Sequence, residues 1–360
     1  MATTDTELVP AQQWPVTCSA EDFARFVAAR DRGVQWLIDR IGDDGTPAGA
    51  DRGNSWWRAP WALVVGGAPE AAARMLGWIE RTALTDDGDL RPGPFDAPMG
   101  HSPVYHLSPI AIAAWLTGRF DTANRIMEAM AKFTDERTGG VYDLRDFAAD
   151  PVQDTLKTSQ LGISALMTGH REVADGVAEW LIQNYAEQPE LPSRYYSSRR
   201  HGKLITEFAD QEAFSRVLDF GRRHQAYFLP GIAAAFLAGY HQQTGDARAM
   251  ASAHKYLAIT TAGGDLQFDD PSTVQICKFG WGAAVTYAAT SAPELRPWVT
   301  RMGEWFVRRQ ESDGAWAPSA YATSAPGLLD YYWKTAEHVM ELSQIVLALA
   351  AEGFDSPVTT

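Results

Sequence analysis

The stretch Trp305-Phe306-Val307-Arg308-Arg309-Gln310-Glu311-Ser312-Asp313-Gly314-Ala315-Trp316 decides the fold. It reads as the end of a helix with an aromatic face, followed by an Asp-Gly turn at which the chain reverses. Glycine takes such turns because it has no Cβ to clash in the left-handed conformation. Trp36-Leu37-Ile38-Asp39-Arg40-Ile41-Gly42-Asp43-Asp44-Gly45 repeats the spacing, with the glycine nine positions after the tryptophan in both copies. Weaker copies start at Trp78-Ile79, Phe133, Trp180-Leu181 and Tyr256-Leu257. Their turns are Asp87-Gly88, Gly139-Gly140, the stretch from Pro189 to Pro192, and Gly263-Gly264. A repeat of this period means stacked helical hairpins, each needing its neighbours to cover an apolar face. The expectation is all-α: a single (α/α)6 barrel, or toroid, of six hairpins spanning residues 1–360.

Between the repeats, twelve helices without convincing strands are legible. The even-numbered ones are apolar all round, as in Pro109-Ile110-Ala111-Ile112-Ala113-Ala114-Trp115 and Ile232-Ala233-Ala234-Ala235-Phe236-Leu237. Such helices belong inside, so these form an inner ring. The odd ones carry charge on one face, such as Arg25, Arg32 and Arg40, and form an outer ring. The eighth helix is expected to run from about His224 to Tyr240. Residues 186–220 stretch the repeat and read as an inserted loop or lid, with a basic run from Arg194 to Lys203 and a short helix about Glu207 to Val217.

The net charge of −14 argues against nucleic acid or an anionic membrane surface as a partner. No apolar run approaches the ~20 residues of a membrane span. No secretory signal is visible at the start, and two distant cysteines, Cys18 and Cys277, suit a reducing cytoplasm. No glycine-rich phosphate loop or dinucleotide fingerprint is present, so no cofactor is expected and the partner is a small-molecule substrate.

The aromatic-Leu-x-x-x-Gln helix end followed by Asp-Gly-x-Trp, clearest from Trp305 to Trp316, resembles the repeats of terpenoid cyclase and protein prenyltransferase toroids. Gln275-Ile276-Cys277-Lys278-Phe279-Gly280-Trp281 is similar to the inner helix on which zinc prenyltransferases carry an Asp, a Cys two residues on, and a Trp. Here the Asp position holds Gln275, and the zinc histidine would fall at Trp333. Only Cys277 persists, so no metal is expected. Pro151-Val152-Gln153-Asp154-Thr155 resembles the acid motif of class II terpene cyclases, with Gln153 in place of the central proton donor. The resemblance implies the architecture and leaves the reaction open.

In a closed ring, the pocket is lined by the starts of the inner helices. These give Trp56, Trp57 and Arg58; His101, Tyr105 and His106; Asp154 and Lys157; Arg223, His224 and Tyr227; Cys277, Lys278 and Trp281; and Tyr332, Trp333, Lys334 and His338. Aromatics with a few polar groups suit an apolar pocket that orients its ligand. Each has a plainer reading: tryptophans as core packing, Asp154 as a helix cap, the basic run as a solvated loop. The two lysines are more pointed, since a lysine on an inner helix is costly unless paired.

Asp154, His101 or His106 would donate a proton, and Tyr105, His224 or Tyr227 would accept one. The first expectation is a metal-independent cyclase, isomerase or lyase acting on a small, largely apolar terpenoid- or polyketide-like molecule. The second is a carbohydrate-active six-hairpin glycosidase, lyase or epimerase, with Asp143, Asp146, Asp154, Asp269 and Asp270 as candidate acids. The third is a helical-repeat scaffold that binds a peptide on an open face.

Overall fold

The computed structural model describes residues 18–263, 266–269 and 276–351. The outer layer is α1 (Ala20–Ile38), α3 (Pro69–Thr82), α5 (Phe120–Ala131), α7 (Arg171–Ala186), α9 (Ala247–Ala262) and α11 (Arg296–Arg309). The inner layer is α2 (Ala59–Val65), α4 (Val104–Leu116), α6 (Thr155–Thr168), α8 (Leu229–Thr244), α10 (Cys277–Thr290) and α12 (Leu328–Ala350). Inner helices are buried on every side: α8 hides all of Leu229 to Ala238. Outer helices are amphipathic; α1 buries Phe26, Ala29, Trp36 and Leu37 while Arg25 and Arg32 face solvent.

Each inner helix packs on the next, and α12 returns to α2, which closes the ring. Each outer helix lies across two inner ones. The repeat turns join the outer layer together. Gly45 (φ +90°) brings its turn so close to α3 that a Cβ would sit 2.1 Å from the Arg74 carbonyl oxygen. Gly314 (φ +95°) does the same against Arg32 of α1, at 2.7 Å. A side chain fits at neither position, which is why the repeat ends on glycine. Backbone bridges Ile41–Pro47, Leu84–Leu90, Thr134–Val141 and Gln310–Trp316 close four of the six turns. Trp36 donates to Asp313 at 2.9 Å and Gln310 to the Ala29 carbonyl at 2.7 Å, so the first and last copies hold each other.

The other two copies depart from the pattern. After α9 the chain passes through residues partly outside the description. After α7 it enters a segment that corrects the strand-free expectation. β1 (Val152–Asp154), β3 (Ser198–Arg200) and β4 (Lys203–Leu204) form one antiparallel sheet, and β2 (Arg194–Tyr196) pairs with β5 (Val217–Asp219). Strands of two or three residues are too short for alternation to show in a sequence. The short helix expected about 207–217 is a single turn, Ala213–Arg216, running into β5. Pairing of β3 with β1 ties this segment to the start of α6. The three arginines of the basic run are each paired: Arg194 meets Asp219 and Glu190, Arg199 meets Glu187, and Arg200 meets Asp150. No described helix is long and apolar enough to cross a membrane.

Candidate functional site

A cavity opens where the inner helices begin. Its larger lobe, about 580 Å³, lies between the starts of α4, α6 and α8 and the 197–216 segment. Its smaller lobe, about 230 Å³, lies between α10, α12 and the loop at Pro318 and Ser319. Tyr105, Leu156 and Phe228 line both lobes, so the two adjoin.

One wall of the larger lobe is a histidine–carboxylate pair. His101, in the loop before α4, places Nδ1 2.9 Å from Asp143 Oδ1. The loop carrying Asp143 is fixed by the Ser102 amide, which donates to the Asp143 carbonyl, and by the Asp143 amide, which donates to Val152 of β1. A carboxylate on Nδ1 sets the tautomer with the proton there, leaving the Nε2 lone pair for the cavity. Lys157, on the first turn of α6, also reaches Asp143 Oδ1, at 2.5 Å, and Asp154 Oδ2 at 3.1 Å. Burial alone would push the Asp143 carboxyl up; His101 and Lys157 outweigh it and hold it well below the usual range.

Asp154 caps α6, accepting from the Lys157 amide at 2.7 Å, which is its plainer reading. It also lines the cavity. Its neighbour Gln153 points the other way, accepting from Trp180 Nε1 at 2.8 Å and donating to Asp135 at 3.0 Å. The position that resembled a cyclase acid is thus a strut between layers. His106 packs on Trp57 and lines the lobe. Burial, with Lys157 and Arg58 nearby, pushes it down to about 3. It is neutral at physiological pH, so it offers no imidazolium proton. Tyr105 accepts a hydrogen bond from Arg58 Nη2 at 2.6 Å, which leaves its own hydroxyl proton to be donated elsewhere.

In the smaller lobe, Arg58, Lys278 and Lys334 all converge on Glu337 of α12. Lys278 also stands 3.4 Å from Glu341. Burial opposes charge on Glu337, but the three cations override it and hold its carboxyl well below the usual range. Cys277, Glu337 and His338 bring ligand-type atoms within 4.8 Å of one another. His338 therefore stands beside Cys277, where the prenyltransferase-like helix had pointed to Trp333. Burial raises the Cys277 thiol well above its ordinary value, and Glu337 is already shared by three cations. That charge distribution repels a further positive ion.

Several residues read as site candidates lie elsewhere. Trp56 is core, edge-on to Trp78 and Phe95. Trp281 packs on Trp61, and Tyr332 on Trp36, fully buried. His338 sits among Trp305, Phe306 and Trp316 and is pushed down to about 4 by burial. The eighth helix starts at Leu229, not His224, because Pro230 favours the first turn and the preceding residues form a loop. That shift takes Arg223, His224 and Tyr227 off the cavity wall. Arg223 is exposed, His224 stacks on Tyr321, and buried Tyr227 donates to the Arg222 carbonyl, its hydroxyl pushed up to about 12. Phe228 takes their place. Asp270 and Gln275 lie outside the described residues. Glu337, Glu341, Ser319 and Arg216 were not singled out from the sequence, and Asp143 stood only among the acids of the carbohydrate reading.

No family model matches the sequence, and no curated protein matches it. Solved structures do match, as folds. A D-mannose isomerase superposes with a TM-score of 0.65 at 11% identity, covering 93% of this chain and 99% of that one. An α-1,6-mannanase from Salegentibacter sp. HEL1_6 gives 0.57 at 14% identity, covering 91% and 99%. A type II terpene cyclase from Scytonema, bound to geranylgeranyl dihydroxybenzoate, gives 0.56 at 11% identity, again covering 91% and 99%. The chain shares the α/α toroid with all three.

Proposed function

We propose that this protein is an acid–base enzyme, an isomerase, lyase or cyclase, acting on a small molecule in the ring cavity. The observation that carries this reading is the His101–Asp143 pair on the wall of a lobe that Tyr105 also lines. As the base, His101 takes a proton from substrate carbon or hydroxyl through Nε2, and Asp143 stabilises the imidazolium that results. Tyr105 supplies a proton to the atom that gains electron density. Returning the proton from His101 to a neighbouring atom, while Tyr105 takes its own back, completes an isomerisation; if a leaving group departs with the proton from His101 instead, the same return to Tyr105 completes an elimination. Phe228, Leu156 and Phe214 give the lobe apolar surface, as a terpenoid- or polyketide-like substrate requires.

A specific observation also favours the carbohydrate reading in its isomerase or epimerase form. Lys157, Ser197, Gln211 and Arg216 bring hydrogen-bonding side chains to the same lobe, which suits a substrate bearing hydroxyls. Hydrolysis fits less well. It places two carboxylates on either side of the bond to be cut, whereas Asp143 and Asp154 meet on one ammonium.

The experiment is a screen of terpenoid, polyketide and sugar substrates in deuterated water, followed by the His101→Ala variant. Solvent deuterium in the product and a loss of about 10²–10⁴ in rate are expected. Normal turnover in a folded His101→Ala protein would overturn the assignment.

A further inference from the structure

We infer that the smaller lobe is a subsite for an anionic group on the ligand, a carboxylate or a phosphate. The inference rests on the reading that the cavity is where the substrate binds. Arg58, Lys278 and Lys334 surround Glu337, with Glu341 behind, and none of the five side chains is more than 7% exposed. His338, beside them, is neutral because burial disfavours its charged form. Among the described residues, one guanidinium and two lysine side chains therefore face two carboxylates, so basic groups outnumber acidic ones by one. A buried charge without a partner is strongly unfavourable, and water at this depth screens little. A ligand bringing one negative charge would complete the cluster.

The donors for such a group are already in place. Lys334 spends one of its three ammonium protons on Glu337 and lines the lobe with the others available. Lys278 lines the same wall. The Ser319 hydroxyl, also in the lobe, makes no hydrogen bond to any described residue, while its carbonyl is engaged by the Ala322 and Thr323 amides. Trp333 lies 4.1 Å from the Lys334 ammonium and offers a flat wall to the organic part that carries the anion. The subsite adjoins, at Tyr105, the lobe that His101 lines. The ligand is thus held by its charge at one end and presented to His101 at the other.

Calorimetric titration of the full chain with benzoate, with inorganic phosphate and with benzamide as the uncharged control tests this directly. Benzoate, phosphate or both should bind, and benzamide should not. Lys334→Met should weaken anion binding by about tenfold or more, the factor for one lost charge-assisted hydrogen bond. Ser319→Ala, a small change in a loop, should weaken it in the same direction. Binding of benzoate alone assigns a carboxylate, and of phosphate alone a phosphate. Failure of both anions to bind, benzamide binding as well as benzoate, or unchanged affinity in both variants overturns the inference. No turnover is read, so this result and the His101 experiment fail independently.

Discussion

Arg58, one residue ahead of α2, donates to Glu337 of α12, and so joins the first and last inner helices by a buried ion pair. The pair lies on the seam where the ring closes. It also belongs to the charge cluster of the smaller lobe, so the closure of the barrel and the shape of the cavity depend on the same atoms.

The cluster is unequal in what it can lose. Glu337→Gln leaves Arg58, Lys278 and Lys334 crowded around a neutral amide, and should cost about 3–5 kcal/mol. Arg58→Met removes a surplus cation and leaves Glu337 with two partners, so it should cost clearly less. Denaturant unfolding of both variants checks the order. Equal losses would mean that the positive excess is not felt.

Asp143 and Asp154 share Lys157 but should respond differently to the same change. Asp143→Asn removes the carboxylate that orients His101, and turnover should fall by about 10²–10⁴ with the fold intact. Asn caps a helix about as well as Asp, so Asp154→Asn should leave stability within about 0.5 kcal/mol. It should also change rate far less. Steady-state kinetics with unfolding curves separates the two; a larger kinetic loss at Asp154 would move the chemistry there.

Acid should weaken the protein well before its carboxylates titrate. Folded His338 is pushed down to about 4 by burial, while an unfolded histidine titrates near 6.5. Between those values the unfolded chain binds a proton that the folded chain refuses. The stability is fully present above about 6.5 and falls with pH by about 1.4 kcal/mol per unit, levelling below about 4. His106, pushed down to about 3, acts in the same direction. Unfolding measured in steps from about pH 7.5 to 5 should show the decline, and a flat profile would contradict it.

What was legible in the sequence is local. The spacing from Trp305 to Gly314 and the apolar run of α8 are contiguous, and they gave the ring and its two layers. Asp154 was legible as a cap because Asp is favoured immediately ahead of a helix start. His101 and Asp143 meet across 42 residues of sequence, through an irregular loop whose path leaves no periodic trace. Glu337 and Glu341 were missed because acids at i and i+4 on a helix look like a solvent face. The available signal was that Lys334, Glu337, His338 and Glu341 recur at steps of three and one to three on a helix otherwise apolar. At α8 the usable signal was Pro230, which marks a helix start more sharply than the polar run before it.

The placement of α1 against both α11 and α12 has a consequence for synthesis. α1 leaves the ribosome long before α12, on which it rests, is made. Until α12 emerges, the flank of α1 that receives it stays uncovered, and so does the face of α2 that Arg58 precedes. Until then a nascent chain carries an open crescent that exposes apolar surface. A message truncated ahead of α12 would yield no closed chamber at all, rather than a weaker one.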